Sequence, residues 1–435
     1  MISEFGISIS ELIISKGDCK TQSNYMFKMI IMFNTNTINR FRQLETPFYY
    51  YDLGILGKTL QACRTASAKY GFHVHYAMKA NFNHKVVDTI QSYGFGADCV
   101  SGNEVKAAIE HGFGKEKIVF AGVGKSDKEI NLALDADIFC FNAESVQELF
   151  IINDLAKAKN KTANIAIRIN PNVDAHTHHF ITTGLDENKF GINSWQLPDV
   201  VDALRACPHL KFLGIHFHIG SQITDMEVYK SLCIRVNEMQ DWFTDHGFEV
   251  KLLNTGGGLG VDYYNPDTNG ISDFESYFKV FKDFLNVKPG QEVHFELGRA
   301  LVAQSSALIS RVLYVKNGQK KNFLVLDAGM TELIRPMLYQ AYHEIENLSR
   351  GGSGSPEVRK SESQESKPAA NCQLPTAHYD IVGPICESTD CFRKDVELPQ
   401  SYRGDIIAIR TTGAYGEVMA SGYNLRDRVG SIYSE

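Results

Sequence analysis

The chain has 435 residues, 43% of them hydrophobic, with 44 Lys plus Arg against 51 Asp plus Glu for a net charge of −7. That length allows two or three domains, and that apolar content excludes a wholly disordered chain. The charges are interspersed without a long basic run, no apolar run reaches the ~18 residues of a membrane span, and the nine cysteines are scattered. Nucleic-acid binding and membrane spanning are therefore not expected, and the thiols are expected to be reduced in a cytoplasmic protein.

Residues 1–31 read as an appended start. Glu4 and Glu11 interrupt the apolar run, no basic segment precedes it, and no Arg occurs before Arg40, so neither a signal nor a transit peptide is expected. Met26, Met29 and Met32 follow one another closely, and a chain beginning at Met32 is expected to fold. The folding pattern starts at TPFYYYD (46–52), and residues 32–52 are expected to add a strand to a later β domain.

From residue 73 to 300 short apolar runs alternate with helical stretches. Strands are expected in HVHYAMKA (73–80), GADCVS (96–101), KIVFAG (117–122), IFCFNA (138–143), ANIAIRIN (163–170), FLGIHFHIG (212–220), VKLLNTGGG (250–258) and EVHFELGR (292–299). They are rich in Val, Ile and Phe, as strands buried on both faces should be. Ser126 with Glu129, and Ser145 with Glu148, read as capping boxes opening two helices, and Asp225–His246 and Asp273–Val287 read as longer amphipathic helices. Eight such units predict an α/β fold with a (β/α)₈ barrel over 53–300, a doubly wound open sheet being the other possibility. Residues 301–435 change texture. A hairpin turning at Asn317-Gly318 and β segments in AHYDIVGPICES and GDIIAIRTTGAYGEVM predict a β-rich, Greek-key or sandwich-like domain. The polar stretch 351–370 reads as a flexible insertion.

A barrel places its chemistry at the C-terminal ends of its strands. Those ends carry Lys79, Asp98 with Ser101, Asn142, Arg168, His218, Gly256–Gly258, and Glu296 with Arg299. A strand-end lysine is ordinarily ion-paired or reaching for solvent, but its amine also suits a Schiff base when desolvation lowers its pKa. The glycine run is a tight turn or an anion cradle, and it stands after strand seven, the usual phosphate position of such barrels. It lacks both the Walker and the Rossmann spacing. His216 and His218 alternate along one strand, yet no further ligands complete a metal set, so no metal is expected. His176, His178 and His179 fall in a polar loop. Glu296 and Arg299 are either a structural ion pair or a carboxylate for a ring nitrogen beside a donor fork for an anion. Pyridoxal phosphate uses this whole set, with Lys79 for its aldehyde, the glycine loop for its phosphate, Glu296 for its ring nitrogen and His218 to cover the ring.

The motifs TPFYYYD, YAMKAN, GADCVSGNE, RINPNVDAHTHHFITTG, NKFGI, HFHIGSQ, NTGGGLG, FELGR, DAGMTELIRPMLYQAYHEI, DIVGPICES and GAYGE follow in order. With them the chain, from Thr46 to its end, resembles the alanine-racemase-like, fold type III pyridoxal phosphate decarboxylases. The resemblance implies that Lys79 carries the cofactor, that His218 stacks on it, and that Ser221, Gly256, Gly257, Gly258 and Gly298 surround its phosphate. It implies that Glu296 pairs with the ring nitrogen and that Arg299 and Tyr415 contact cofactor and substrate. Arg335, Tyr339 and Glu387 resemble the substrate-recognition set, and Cys386 the acid that protonates the product across a homodimer interface. Leu297 departs from the Pro common at that position, and the insertion stands close in sequence to the Arg335 and Cys386 motifs. Arg335 with Glu387 offers one charge of each sign, which suits the zwitterionic end of meso-diaminopimelate, and the resemblance implies its conversion to L-lysine and CO₂. A racemase would need a second base opposite the lysine. Relatives acting on carboxynorspermidine or arginine, and a non-catalytic regulatory homologue, are the remaining alternatives.

Overall fold

The structure, a computed structural model, describes residues 32–173, 189–351 and 374–435. The expected appended start, the three loop histidines 176, 178 and 179, and residues 352–370 of the insertion lie outside the described residues. Among those described, no helix is long and apolar enough to cross a membrane.

Helix Thr35–Gln43 begins where the Asn34 side chain accepts the Thr37 N–H, and it buries Phe41 completely against Phe33, Phe48 and Tyr50. Strand β1 (Phe48–Tyr51) follows. Eight parallel strands then close into a barrel: β2 (His73–Ala77), β3 (Gly96–Cys99), β4 (Ile118–Phe120), β5 (Cys140–Ala143), β6 (Ala163–Arg168), β7 (Leu210–His216), β8 (Leu252–Asn254) and β9 (Glu292–Leu297). The eight strands fall within or beside the eight apolar runs read from the sequence, and the barrel rather than the open sheet is the fold.

Helices wrap the barrel where the sequence supplies an apolar stripe. Helix Phe274–Phe284 sets Tyr277, Phe278 and Phe281 against Phe295 of β9. Because side chains alternate along a strand, Glu292, His294 and Glu296 face the barrel interior instead. Ser126 and Glu129 form the expected capping box. Ser145 caps its helix through the Glu148 N–H, but the Glu148 carboxylate turns to the Glu144 N–H and to Lys125, so that box is only half made. A buried ammonium close by is a stronger partner than one more backbone amide.

The remaining strands are β10 (Ser306–Asn317), β11 (Asn322–Leu326), β12 (Ile345–Asn347), β13 (Thr376–Val382), β14 (Cys391–Pro399), β15 (Ile406–Arg410) and β16 (Ser431–Tyr433). They form a separate sheet in the order β12-β15-β10-β11-β13-β14, with β1 joining β10 and β16. β10 and β11 are the hairpin expected around Asn317-Gly318. Two expected β segments are shorter than read. β13 stops before Gly383-Pro384, where proline has no N–H for the ladder, and Asp390 packs so close to Gly383 that a Cβ there would lie 2.4 Å from its Oδ2. After β15 the chain leaves the sheet with Thr411 and Tyr415 in the left-handed region, at φ 60° and 57°. That turn lets the Tyr415 N–H donate to the Ala80 carbonyl at 2.8 Å, tying the β domain to the residue that follows Lys79.

Candidate active site

A pocket at the C-terminal ends of the barrel strands is lined by Lys79, His218, Ser221, Gly258, Glu296, Gly298, Arg299 and Tyr415. A second depression, between Gly247–Lys251 and Lys288–Gln291, opens at the other end of the strands and holds none of the expected residues.

Lys79 leaves β2 in a single 3₁₀ turn, Met78–Ala80. Its Nζ lies 3.8 Å from Oδ2 of Asp98, at the end of the neighbouring strand β3. Neither carboxylate oxygen of Asp98 has a hydrogen-bond partner among the described residues. Burial first, and the charge of Glu296 second, push the Asp98 carboxyl up to about 8, against the opposing pull of Lys79. Burial also presses the Lys79 ammonium towards neutrality, but Asp98, Tyr415 and Glu296 together outweigh it, and the lysine is raised above its ordinary value. The expected lowering by desolvation is therefore corrected: a strand end that gathers acids cancels it. The two groups are one linked system. Asp98 lends Lys79 its charge only once it ionises, above about 8, whereas the ionised Glu296 raises the lysine below that pH as well.

This linkage makes a prediction. The Asp98 carboxyl binds its proton far more tightly in the folded chain than at the unfolded value of ~3.9, so between about 4 and about 8 the folded state holds a proton that the unfolded state has lost. Stability then falls as pH rises, at up to ~1.4 kcal/mol per pH unit. The cofactor-free protein is expected to lose stability relative to Asp98→Asn from pH ~5 to ~8, and parallel denaturant titrations of the two check it.

Glu296 is held as a carboxylate. Its Oε1 accepts from Asn142 at 2.9 Å and Asn254 at 2.7 Å, and its Oε2 pairs with His216 Nε2 at 2.9 Å. Burial alone would raise it, but His216, by charge and hydrogen bond, and Lys79 outweigh burial and hold it below the ordinary range. The paired-histidine reading changes here. β7 ends at His216, so His218 lies in the loop beyond and the two take different tasks. Burial, with the charges of Lys79 and Arg168, holds His218 well below its ordinary value, so its ring is neutral.

The glycine run closes the pocket from one side. Gly256 and Gly258 have φ of 68° and 106°. A Cβ on Gly256 would stand 2.2 Å from the Phe217 carbonyl, and one on Gly257 would stand 1.9 Å from that of Glu296. Only glycine fits these positions, and its missing Cβ leaves the backbone N–H groups open to the pocket. Ser221 faces the same space and accepts from Arg299 Nη2 at 3.1 Å. Arg299 Nη1 donates to the Tyr263 hydroxyl at 2.6 Å, and its guanidinium lies 4.9 Å from the centre of the Tyr415 ring. Arg335, the first residue of helix Arg335–Tyr339, donates to the same Tyr263 hydroxyl at 3.0 Å. Burial would raise Tyr263, yet the two guanidiniums outweigh it and lower its pKa.

The structure thus brings Lys79, His218, Ser221, Glu296, Arg299 and Tyr415 to one pocket and Arg335 to its edge through Tyr263. Tyr339 is half-buried at the far end of its short helix. Cys386 and Glu387 are exposed on the turn after β13, where Glu387 accepts from Tyr423 at 2.7 Å, and neither lines the pocket. Asp98 and Asn142 were noted at strand ends without a role assigned to them, and Asn254 and Tyr263 were not among the expected site residues. Asp98 and Asn142 stand at strand ends and Asn254 opens the NTGGGLG motif, so each carried a signal, whereas Tyr263 carried none.

A carboxylate fixed in its ionised form on the barrel axis needs a partner that is better off protonated, and a neutral imidazole beside it can lie against a flat ring. Add a cradle for a phosphate and an amine for an aldehyde, and the residues present fit pyridoxal phosphate, which places the chain among Schiff-base barrel enzymes. Residues 56–303 match the pyridoxal-dependent decarboxylases over their pyridoxal-binding domain. A diaminopimelate decarboxylase of Bacteroides thetaiotaomicron is 54% identical over 391 residues, 90% of this chain and 96% of that protein. One of Aquifex aeolicus is 37% identical over 90% of this chain and 87% of that protein. The crystal structure of diaminopimelate decarboxylase from Helicobacter pylori complexed with L-lysine superimposes with a TM-score of 0.81 at 36% identity, over 91% of this chain and 93% of that one. The chain belongs to the pyridoxal-dependent decarboxylases, in the family of the diaminopimelate decarboxylases.

Proposed function

We propose that the chain decarboxylates meso-diaminopimelate to L-lysine and CO₂, as a cytoplasmic homodimer whose active sites take residues from both subunits. The observation that carries the substrate is Arg335. It is 6% exposed, and among the described residues its hydrogen bonds go to Tyr263 and His343, neither of them a carboxylate. A buried cation without a counter-anion is costly, and the distal carboxylate of diaminopimelate supplies one. Ornithine and arginine have no such group to offer.

Bound pyridoxal phosphate supplies an electron sink for the α-carbon as CO₂ leaves. The chain does the rest. Lys79 holds the cofactor aldehyde, and Asp98 faces the lysine. Gly256–Gly258, Gly298 and Ser221 bind the phosphate. Glu296, locked by Asn142, Asn254 and His216, holds a proton on the ring nitrogen, and His218 covers the ring. Arg299 and Tyr415 bind cofactor and substrate. Arg335 and Tyr339, with the partner's Glu387, orient the far end of the substrate. The partner's Cys386 returns a proton to the α-carbon.

Borohydride reduction of the holoenzyme tests the centre of this reading. The cofactor is expected to be fixed on the peptide containing Lys79, and Lys79→Ala is expected to be nearly inactive. Fixation on another lysine, or normal turnover by Lys79→Ala, would overturn the assignment.

A further inference from the structure

The opposite end of the barrel carries a second cluster of ligating side chains. β2 and β9 pair with His73 opposite His294. His73, Glu292 and His294 bring one ligand atom each within 4.8 Å of one another, and the two rings are 4.7 Å apart between centroids. None of the three lines the catalytic pocket.

Hydrogen bonds fix which nitrogen of His294 is available. Nδ1 of His75 lies 3.0 Å from the backbone carbonyl of Lys117, which only accepts, so that nitrogen carries the hydrogen. Nε2 of a neutral His75 is then an acceptor, and Nδ1 of His294, 2.8 Å away, donates to it. This leaves Nε2 of His294 with a bare lone pair. Its neighbour at 3.2 Å is Oε2 of Glu292, a carboxylate oxygen that also only accepts. Two acceptors at that separation need something positive between them. A proton would serve the pair, but it gives no reason for the imidazole of His73 to converge on the same point.

We propose that His73, His294 and Glu292 form a binding site for a divalent transition-metal ion of the zinc class. Two imidazole nitrogens and one carboxylate oxygen are a three-ligand set that water completes, and imidazole disfavours magnesium or calcium. Metal-bound histidines commonly donate their second ring N–H to a neighbour that orients them, and His75, anchored on Lys117, occupies that position for His294. Closing the trio around an ion at bond lengths near ~2.1 Å needs movement of roughly 1 Å, which the exposed side chains of His73 and Glu292 can make. Phe139 stacks on the His294 ring at 5.5 Å and 8°, walling the site on one side. β2 and β9 are the first and last strands of the barrel, and their pairing closes it. The ion would clamp that seam, so its effect is on stability rather than on the chemistry at the other end.

The test uses holoenzyme freed of metal by chelator and titrated with ZnCl₂, followed by calorimetry and thermal unfolding. Wild type is expected to bind one zinc ion per chain at this site and to unfold at higher temperature in its presence, because an ion that binds only the folded state stabilises it. The double variant His73→Ala, Glu292→Gln changes two exposed side chains. It is expected to keep the decarboxylase activity and the metal-free unfolding temperature of wild type and to lose both the binding and the temperature rise. Co²⁺ in place of zinc should give the visible bands of a low-coordinate N/O site in wild type and not in the variant. His75→Gln should weaken binding by roughly 10- to 100-fold. If zinc leaves the unfolding temperature of wild type unchanged, or raises that of the double variant equally, the trio is a proton-held pair beside a bystander and the proposal is wrong.

Discussion

Lys79→Ala and Cys386→Ala proteins, each nearly inactive alone, are expected to regain about a quarter of native activity when unfolded together and refolded. In the chain as folded, Lys79 is in the barrel pocket, whereas Cys386 is exposed in the β domain and does not line that pocket. A C₂ dimer resolves the separation reciprocally, because each chain then supplies its lysine to one site and its thiol to the other. About half of the refolded dimers are mixed, and each mixed dimer has one intact site of two. Refolded single variants give the baseline, and mixed-isotope mass spectrometry shows that subunits have exchanged. If they have exchanged and no activity returns, the shared-site arrangement fails, and Cys386 acts within its own chain or not at all.

Arg335→Met is expected to lower kcat/KM for diaminopimelate by ~2–5 kcal/mol, the range seen when one partner of a buried charge pair is removed. That is roughly 30-fold to several thousand-fold. Methionine keeps much of the apolar stem, so the loss reports the guanidinium. Arg335 shares the Tyr263 hydroxyl with Arg299, so a purely structural role would disturb the Arg299 side of the pocket as well. The discriminating readout is ligand dependence. Inhibition by ornithine, which when bound through its α-carbon has no distal carboxylate, should weaken far less than use of diaminopimelate, whereas inhibition by lysine, which keeps the distal carboxylate after CO₂ has left the other end, should weaken with it. Equal losses for every ligand, with a lowered unfolding temperature, would assign Arg335 to the scaffold.

The barrel was legible because its strands are covered on both faces, which demands short, mostly apolar runs, unbroken in Ile118–Phe120 and interrupted only by Asn164 before Arg168 in Ala163–Arg168. β12 and β16 were not, since Ile345–Asn347 and Ser431–Tyr433 are equally short but mix polar residues in, leaving neither an apolar run nor a period to read. Helix Thr35–Gln43 was also missed. It is mostly polar, and what holds it is Phe41, whose partners come from β1. At the site, residues standing at strand ends announced themselves by position. Residues acting through space did not: Tyr263 matters because two guanidiniums from different parts of the chain meet at its hydroxyl. The same holds at the barrel floor, where strands 219 residues apart in sequence set His75 beside His294. Charge balance was the least legible property, for the sign of the Lys79 shift depends on Asp98, Tyr415 and Glu296 arriving together.

Decarboxylation of a panel of amino acids by the purified holoenzyme tests the central claim most directly, with CO₂ and the amine product both quantified. Diaminopimelate should yield lysine and CO₂ in equal amounts, at a kcat/KM far above those of ornithine, arginine and lysine. Comparable or faster CO₂ release from ornithine or arginine, or epimerisation of diaminopimelate without loss of CO₂, would contradict it.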